Sequence, residues 1–153
     1  MKNGVKILVV DDEPVIRHAM RQLLEHCGCE VEAVGDGNAA LTSLAERRFD
    51  LVITDLSMPG MPGDQLVAKI RQAIPTQRIL MATAFAEEYR MFSRHAGTVD
   101  GLLLKPFTFR ELQDAIEAIL DLSTASGLEP IEPLGETSPS AQPRVFSPPE
   151  TIS

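Results

Sequence analysis

Five polar residues spread along the chain have side chains suited to binding a divalent metal ion and a phosphoryl group. They are Asp11, Asp12, Asp55, Thr83 and Lys105. Carboxylates supply the oxygen ligands that Mg²⁺ prefers. An ammonium and a hydroxyl can contact phosphoryl oxygens, and phosphoryl transfer depends mainly on positioning and on neutralising the charge of those oxygens. These residue types therefore predict phosphoryl chemistry, provided that the fold brings them together.

Each of the five residues lies directly after, or at the end of, a short apolar run that is typical of a buried strand. The four runs are Val9-Val10, Leu51 to Thr54, Ile79 to Ala82 and Leu102 to Leu104. In an open parallel α/β sheet, ligands bind outside the carboxyl ends of the strands, where the strand order reverses. The sequence therefore predicts one shared polar pocket at that edge of a sheet.

Predicted strands alternate with predicted helices along most of the chain. The strands are expected at 6–10, 29–34, 50–54, 77–82 and 100–104. The helices are expected over Pro14 to His26, after an Asp36 cap, after an Asp64 cap, over Glu87 to Ala96, and after a Thr108–Glu111 capping box. Strict alternation with right-handed crossovers predicts an α/β fold with a doubly wound, five-stranded parallel sheet.

The composition fits one ordinary globular domain and excludes several functions. Of the 153 residues 44% are hydrophobic and 24% are charged, and the net charge of −8 argues against a nucleic-acid-binding surface. No apolar run reaches the roughly 18 residues of a membrane span, and the start lacks the apolar core of a secretory signal. Two cysteines without a disulfide framework fit a reducing compartment. We therefore expect a cytoplasmic protein that contacts neither nucleic acid nor membrane.

The composition changes near the end of the chain. Residues 124–153 hold six of the eleven prolines and few large apolar side chains. Such a segment cannot bury enough apolar surface to offset its ordering entropy. We therefore expect a domain over residues 1–123, followed by a disordered, flexible tail or linker over 124–153, with no output domain in this chain.

Taken together in order, these motifs resemble the receiver domain of two-component response regulators, including the chemotaxis regulators. The matching stretches are Val9 to Glu13, Asp50 to Pro59, Thr83-Ala84 and Lys105 to Phe107. The resemblance covers about residues 5 to 122. It implies a flavodoxin-like sheet with strand order 2-1-3-4-5 and five helices.

The resemblance also implies a role for each residue of the pocket. Asp55 would accept a phosphoryl group from a sensor histidine kinase or a phosphotransfer protein. Mg²⁺, with Mn²⁺ as a second candidate, would be held by Asp11, Asp12, Asp55 and the backbone carbonyl of Ser57. The phosphoryl group would lie against Thr83, Ala84 and Lys105, and the Lys105–Pro106 bond would be cis. The chain would be a phosphoacceptor rather than an enzyme in its own right.

One position departs from the family pattern. Many receivers carry an aromatic residue three positions before the strand-five lysine, and this chain has Leu102 there. The phosphoryl chemistry is expected to survive, whereas the usual threonine–aromatic coupling lacks its aromatic partner. Output would then run through Thr83, the following loop and the fourth helix. The expected contact face comprises helix four, strand five and helix five, with contacts at Tyr89, Arg90, Arg94 and the flank of the last helix around Gln113.

The resemblance implies control of a protein partner or relay of phosphate, by a monomer or a phosphorylation-dependent dimer. Two other functions remain open. One is a Mg²⁺-dependent hydrolase that forms an aspartyl phosphate, although that class carries a second Asp two residues after its nucleophile, where this chain has Ser57. The other is an adaptor that keeps the fold and works without phosphorylation.

Two simpler interpretations concern individual residues. Asp12 or Glu13 could serve only to cap the first helix. His26, Cys27 and Cys29 resemble a metal cluster, but structural zinc sites take four ligands, and only three candidates lie together here. We therefore expect no zinc site.

Overall fold

The computed structural model describes residues 3–84, 87, 90, 99–125 and 144–146. The strands are β1 (Lys6–Val10), β2 (Glu30–Val34), β3 (Leu51–Asp55), β4 (Ile79–Thr83), β5 (Gly101–Leu104) and β6 (Arg144–Phe146). The long helices are α1 (Pro14–His26), α2 (Gly37–Glu46), α3 (Gly63–Ala73) and α4 (Phe109–Ala125). Within the described ranges no helix is long and apolar enough to cross a membrane.

All strand pairs are parallel, and the order across the sheet is β2-β1-β3-β4-β5-β6. The predicted order 2-1-3-4-5 is therefore confirmed. The register aligns Val10 with Thr54, and Asp55 with Ala82, so that the carboxyl ends of β1, β3 and β4 lie at one edge. This edge carries the predicted pocket.

The sheet separates two apolar layers, because successive side chains of a strand point to opposite faces. On one face, α1 and α4 pack through Met20, Leu24, Leu112 and Ile116. On the other face, α2 and α3 pack through Ala40, Leu44, Leu66, Val67 and Ile70. The strands are covered on both faces, which explains the nearly continuous apolar runs of β1, β3 and β4.

Two central strands end one residue later than the sequence predicts. The predicted ends were Thr54 and Ala82, whereas β3 includes Asp55 and β4 includes Thr83. Asp55 is paired in register with Ala82, and Thr83 with Leu104. Both polar residues are therefore held by the rigid sheet rather than by a loop.

The helix starts test the predicted caps. Asp36 accepts a hydrogen bond from the Ala39 amide at 2.8 Å, so its cap is confirmed. The capping box of the last helix is also confirmed, because the Thr108 amide donates to Glu111 at 2.7 Å and the Glu111 amide donates to Thr108 at 3.1 Å. The predicted cap at Asp64 is wrong: Pro62 occupies the N-cap position, and Asp64 lies in the first turn of α3.

Two parts of the prediction concern regions that the structure describes only in part. The predicted helix over 87–96 lies outside the described residues except for Glu87 and Arg90, which are helical. Five helices are therefore not established, and the predicted last helix is α4. The predicted tail over 124–153 differs from the structure in that α4 runs to Ala125 and residues 144–146 form β6.

Candidate functional site

Three carboxylates meet at the carboxyl edge of the sheet. Asp11 and Asp12 directly follow β1, and Asp55 is the last residue of β3. One ligand oxygen from each of the three lies within 4.8 Å of the others. Asp11 and Asp55 are buried, with 3% and 9% of their surface exposed, whereas Asp12 is half-buried. Asp12 therefore lies where the cluster opens towards solvent.

The two oxygens of Asp55 have different surroundings. Oδ1 accepts the backbone N–H of Leu56 at 2.8 Å, and the hydroxyl of Thr54 donates to the Asp55 carbonyl at 3.0 Å. Oδ2 lies 3.6 Å from the ammonium of Lys105. One oxygen is thus tied to the main chain, and the other faces a cation.

Asp11 is anchored on three sides. Its Oδ1 accepts the Glu13 N–H at 2.9 Å, and its Oδ2 lies 3.4 Å from Nζ of Lys105. Its backbone carbonyl accepts a hydrogen bond from Nη1 of Arg17 at 2.7 Å. Glu13 occupies the N-cap position of α1 but makes no side-chain cap hydrogen bond. Capping by Glu13 therefore does not account for this acidic run.

Lys105 lies between the two buried carboxylates, and the backbone positions it. The Lys105 amide donates to the Thr83 carbonyl at 2.9 Å, which continues the β4–β5 pairing by one residue. The Lys105–Pro106 peptide bond is cis. The lysine side chain is 21% exposed, so its ammonium partly neutralises the cluster without closing it to solvent.

Three further predicted residues, Thr83, Ala84 and Ser57, lie at the same edge but differ in burial. Thr83 is fully buried at the end of β4, whereas Ala84 and Ser57 are exposed in the loops that follow β4 and β3. Leu102 is buried in the apolar layer that contains Met81 and Val99. The side chain of Leu102 therefore belongs to the core and not to the polar pocket.

Electrostatics at Asp55 favour the protonated form more than at an ordinary aspartate. Burial raises the pKa of the Asp55 carboxyl above its usual value of 3.8, and the charges of Asp11 and Asp12 raise it further. Lys105 and the Leu56 amide act in the opposite direction. The dominant cause is loss of solvation, which penalises the charged form. A cation held by the three carboxylates would relieve this penalty.

The donor set fits a hard divalent cation. All three side chains offer carboxylate oxygens, which suit Mg²⁺ or Mn²⁺ better than softer metals. Among the described residues, this is the one group of three His, Cys, Asp or Glu side chains close enough to share an ion. Cys27 and Cys29 form no disulfide, and among the described residues neither belongs to that group.

Close packing behind Asp55 depends on Gly63, the first residue of α3. Its amide donates to the Leu56 carbonyl at 2.8 Å. A Cβ at Gly63 would lie 2.1 Å from the carbonyl oxygen of Asp55 and 2.9 Å from Cα of Leu56. These are backbone atoms and cannot rotate away, so α3 can approach the end of β3 only with glycine here.

Sequence reasoning missed the role of Arg17. A cation in the first turn of a helix is unfavourable with the helix dipole. A cation at this position therefore indicates a specific partner, which here is the Asp11 carbonyl. The first turn of α1 contains no acidic residue that could pair with Arg17 instead. The contact ties α1 to the loop that carries Asp11 and Asp12.

A cavity of about 760 Å³ lies at the opposite edge of the sheet. Its lining includes Arg47, Arg48, Asp50, Gln77 and Arg78. It contains none of the residues of the acidic cluster. The amino edge of the sheet is therefore distinct from the candidate site.

Comparisons with known proteins agree with this geometry. A family model for the response regulator receiver domain matches residues 7–117. Regulatory protein VanRB of Enterococcus faecalis is 35% identical over 126 residues, which cover 82% of this chain and 57% of that protein. Chemotaxis protein CheY-3 of Vibrio cholerae is 33% identical over 124 residues, which cover 79% of this chain and 95% of that protein.

The solved structure of response regulator protein TrrA from Thermotoga maritima, in complex with Mg(2+)-BeF, superposes with a TM-score of 0.68 at 33% identity. The match covers 75% of this chain and 98% of that chain. The chain spans about half the length of several curated relatives. It covers 57% of VanRB and 49% of transcriptional regulatory protein ResD of Bacillus subtilis. On the family match and these similarities, the chain belongs to the receiver-domain family of two-component response regulators.

Proposed function

We propose that this chain is a phosphorylation-controlled signalling module in which Asp55 accepts a phosphoryl group from a phosphohistidine of a sensor kinase or phosphotransfer protein. The observation that carries the proposal is the environment of Asp55 Oδ2. It lies 3.6 Å from the Lys105 ammonium, in a cluster whose three carboxylates have ligand oxygens within 4.8 Å of one another. This is an oxygen nucleophile beside the charges that a phosphoryl group needs.

The transfer is a displacement at phosphorus. A carboxylate oxygen of Asp55 forms the new P–O bond, and the P–N bond to the donor histidine breaks with its electron pair remaining on the imidazole. Oδ2 is the better-placed oxygen, because Oδ1 already accepts the Leu56 N–H. Lys105 would neutralise one phosphoryl oxygen and Thr83 would donate its hydroxyl to another. Ala84 is small and exposed, and it leaves room for the group to enter.

The metal site would comprise Asp11, Asp12, Asp55 and the backbone carbonyl of Ser57. When bound, Mg²⁺ would neutralise charge on the phosphoryl oxygens. Asp12 is the principal direct ligand in this assignment, because Asp11 is already held by the Glu13 amide and by Lys105. Asp11 would then bind through water or orient the others.

Replacing Asp12 with alanine is expected to abolish labelling by acetyl phosphate and to weaken Mg²⁺ binding by at least about tenfold, since even indirect partners of metal ligands contribute that much. Both quantities can be measured on the full chain, by intact mass and by metal titration. The matched control is Asp121→Ala, which removes an exposed carboxylate from α4. Normal labelling of the Asp12→Ala chain would show that the metal assignment is wrong.

The direct test of the proposed function is phosphotransfer from candidate sensor kinases. Each kinase is first loaded with labelled phosphate, and the transfer of label to this chain is followed over time. The cognate kinase should label the chain much faster than the others do. If no histidine-phosphorylated donor labels it while acetyl phosphate does, the proposed partner class is wrong.

Two alternatives predict different results. A Mg²⁺-dependent aspartyl-phosphate hydrolase would turn over small phosphate esters continuously, but the second Asp of that class is replaced here by Ser57. A phosphorylation-independent adaptor would bind its partner equally well with and without phosphate. The proposed module instead gives one label per chain, slow loss of that label, and a partner affinity that depends on it.

We further propose that phosphorylation changes the face built from the predicted fourth helix, β5 and α4. Among the expected contact residues, Arg90 is exposed and paired with Glu87 at 3.2 Å. Gln113 is not a suitable contact residue, because its amide donates to Cys27 Sγ at 3.7 Å and so faces α1. Tyr89 and Arg94 lie outside the described residues.

Hydrogen exchange with and without beryllofluoride, a phosphoryl mimic, tests this output. We expect changes in protection to extend from Asp55 into residues 83–105, and to be modest because Leu102 is buried and apolar. Leu102→Tyr should enlarge the response if this position couples the site to the face. Changes confined to the acidic pocket in both chains would contradict the proposal, and the Asp55→Asn chain serves as the unresponsive control.

The proposed setting is the cytoplasm, with a protein rather than a nucleic acid or a membrane as partner. Neither cysteine forms a disulfide, which suits a reducing compartment. The net charge of −8 also disfavours contact with nucleic acid. Either a monomer or a phosphorylation-dependent dimer fits this role, and sedimentation with and without beryllofluoride distinguishes the two.

A further inference from the structure

The sheet contains one strand more than the alternating pattern requires. Residues 144–146 form β6, which pairs in parallel with β5 and aligns Gly101 with Arg144, Leu102 with Val145, and Leu103 with Phe146. The outer edge of β5 is therefore covered by a segment from the end of the chain. An uncovered strand edge exposes a row of main-chain donors and acceptors that can pair with another chain.

The connection from β5 to β6 through α4 differs in hand from the crossovers through α1 and α3. Helices α1 and α4 pack on the same face of the sheet, yet β1 to β2 and β5 to β6 step in opposite directions across it. Helix α3 packs on the other face, and β3 to β4 steps in the direction of β5 to β6. The crossovers through α1 and α3 therefore share one hand, and the crossover through α4 has the opposite hand.

Strand–helix–strand crossovers are right-handed in about 98% of cases, because a twisted strand and a helix pack back on the sheet only that way. Because β6 is reached by a crossover of the opposite hand, it does not extend the regular series of strand–helix–strand units. It is better described as an extended segment added to the edge of a sheet that is complete without it. Residues 126–143 connect it to α4.

We propose that the outer edge of β5 is a strand-acceptor site, and that its occupant is residues 144–146 of the same chain, bound reversibly. Main-chain hydrogen bonds supply most of the affinity in such strand addition. A strand of three residues makes few of these bonds, so it can leave without unfolding the sheet. The proposal goes beyond the proposed function and does not depend on it.

Reversible covering of β5 restricts what else can bind there. A partner or a second copy that pairs with β5 has to displace residues 144–146 first. The same strand leads directly into Lys105, so the covered edge ends two residues before the candidate site. The bound segment therefore competes with other occupants of this edge.

The first test is hydrogen exchange at the β5 amides in the full chain. The test variant carries Val145→Pro together with Phe146→Pro. Successive amides of a strand point to opposite sides, so one of the two prolines must remove a bond to β5. The control carries Thr137→Pro with Ser138→Pro, which adds the same two prolines to residues 126–143. Those β5 amides that bond to β6 should exchange at least about tenfold faster in the test variant alone.

The second test adds a synthetic peptide of residues 141–149 to the variant with prolines at 145 and 146. Millimolar peptide should restore protection at β5, because tethering through residues 126–143 supplies an effective concentration of about that size. Melting temperature and acetyl-phosphate labelling should match the control chain. Absence of rescue at this concentration would overturn reversible strand addition.

Two results would overturn the choice of occupant. One is equal β5 exchange in the unsubstituted chain and in the variant with prolines at 145 and 146. The other is β5 protection that rises with protein concentration alongside dimer formation, since the segment would then come from a second copy. Protection that is independent of concentration, in a monomer by sedimentation, supports pairing within one chain.

Discussion

Asp55→Asn is expected to abolish labelling by acetyl phosphate and by any phosphorylated kinase, while leaving the fold intact. The amide of asparagine has nearly the shape of the carboxylate but lacks a competent oxygen nucleophile. Its side-chain oxygen can still accept the Leu56 N–H that now binds Oδ1 of Asp55 at 2.8 Å. Intact mass after incubation with Mg²⁺ and acetyl phosphate measures the effect.

The label on the unsubstituted chain should behave as an acyl phosphate, which alkali and hydroxylamine cleave. An acid-stable label on Ser57 or Thr83, which hydroxylamine would not cleave, would contradict Asp55 as the acceptor. So would normal labelling of the Asp55→Asn chain. The Asp121→Ala chain again serves as the control for loss of one negative charge.

The same substitution is expected to stabilise the protein without Mg²⁺ at neutral pH, by about 1 kcal/mol, the size typical of a single stabilising change. Asparagine removes a charge that burial, Asp11 and Asp12 all disfavour. Denaturant unfolding of both chains, with and without Mg²⁺, measures the difference. A metal ion bound to the carboxylates should reduce or reverse the gain.

The pH dependence of this difference has a definite sign. Because the pKa of Asp55 is raised in the folded protein, the folded state binds its proton more tightly than the unfolded chain does. The penalty from Asp55 is fully present above the raised pKa and is lost as the pH falls towards 3.8. The two chains should therefore converge in stability in acid. A gap that widens in acid would contradict the assignment.

Gly63→Ala is expected to destabilise the protein by about 3 kcal/mol or more, at the upper end of the cost of overpacking. The new Cβ would lie 2.1 Å from the Asp55 carbonyl oxygen and 3.0 Å from its carbonyl carbon. Either α3 or the end of β3 has to move, although alanine is otherwise favoured in helices. Denaturant unfolding gives the loss, and slower labelling reports the displacement of Asp55.

Gly60→Ala is the matched control. Gly60 has a φ of 82°, but a Cβ there would meet no atom within 4 Å. Its replacement should cost only about 1–2 kcal/mol, the strain of an alanine in the left-handed region. Labelling should remain normal. A loss at Gly63 no larger than the loss at Gly60 would show that the contact with Asp55 is not what requires glycine.

The sequence alone determined the architecture and the position of the site. Alternating apolar strands and amphipathic helices specify a parallel sheet, and the carboxyl ends of parallel strands necessarily share one edge. Asp11, Asp12, Asp55 and Lys105 each follow or end such a strand, so their meeting could be predicted. The capping residues Asp36 and Thr108 were also predictable, because capping depends on neighbours only three residues away.

Other features depend on contacts between residues far apart in the chain, which no local pattern encodes. Only the tertiary structure distinguishes the two oxygens of Asp55, because one of them faces Lys105 from another strand. The need for glycine at position 63 arises where α3 meets the end of β3. The helix also starts at Gly63 rather than after the predicted cap at Asp64.

The pairing of residues 144–146 with β5 likewise could not be predicted from the sequence. A proline-rich segment with few apolar residues predicts no packed core, and that prediction concerns burial of side chains. Strand addition instead uses main-chain hydrogen bonds, which almost any sequence can make. Composition therefore predicted no packed core for this segment, whereas the open edge of β5 decided where residues 144–146 pair.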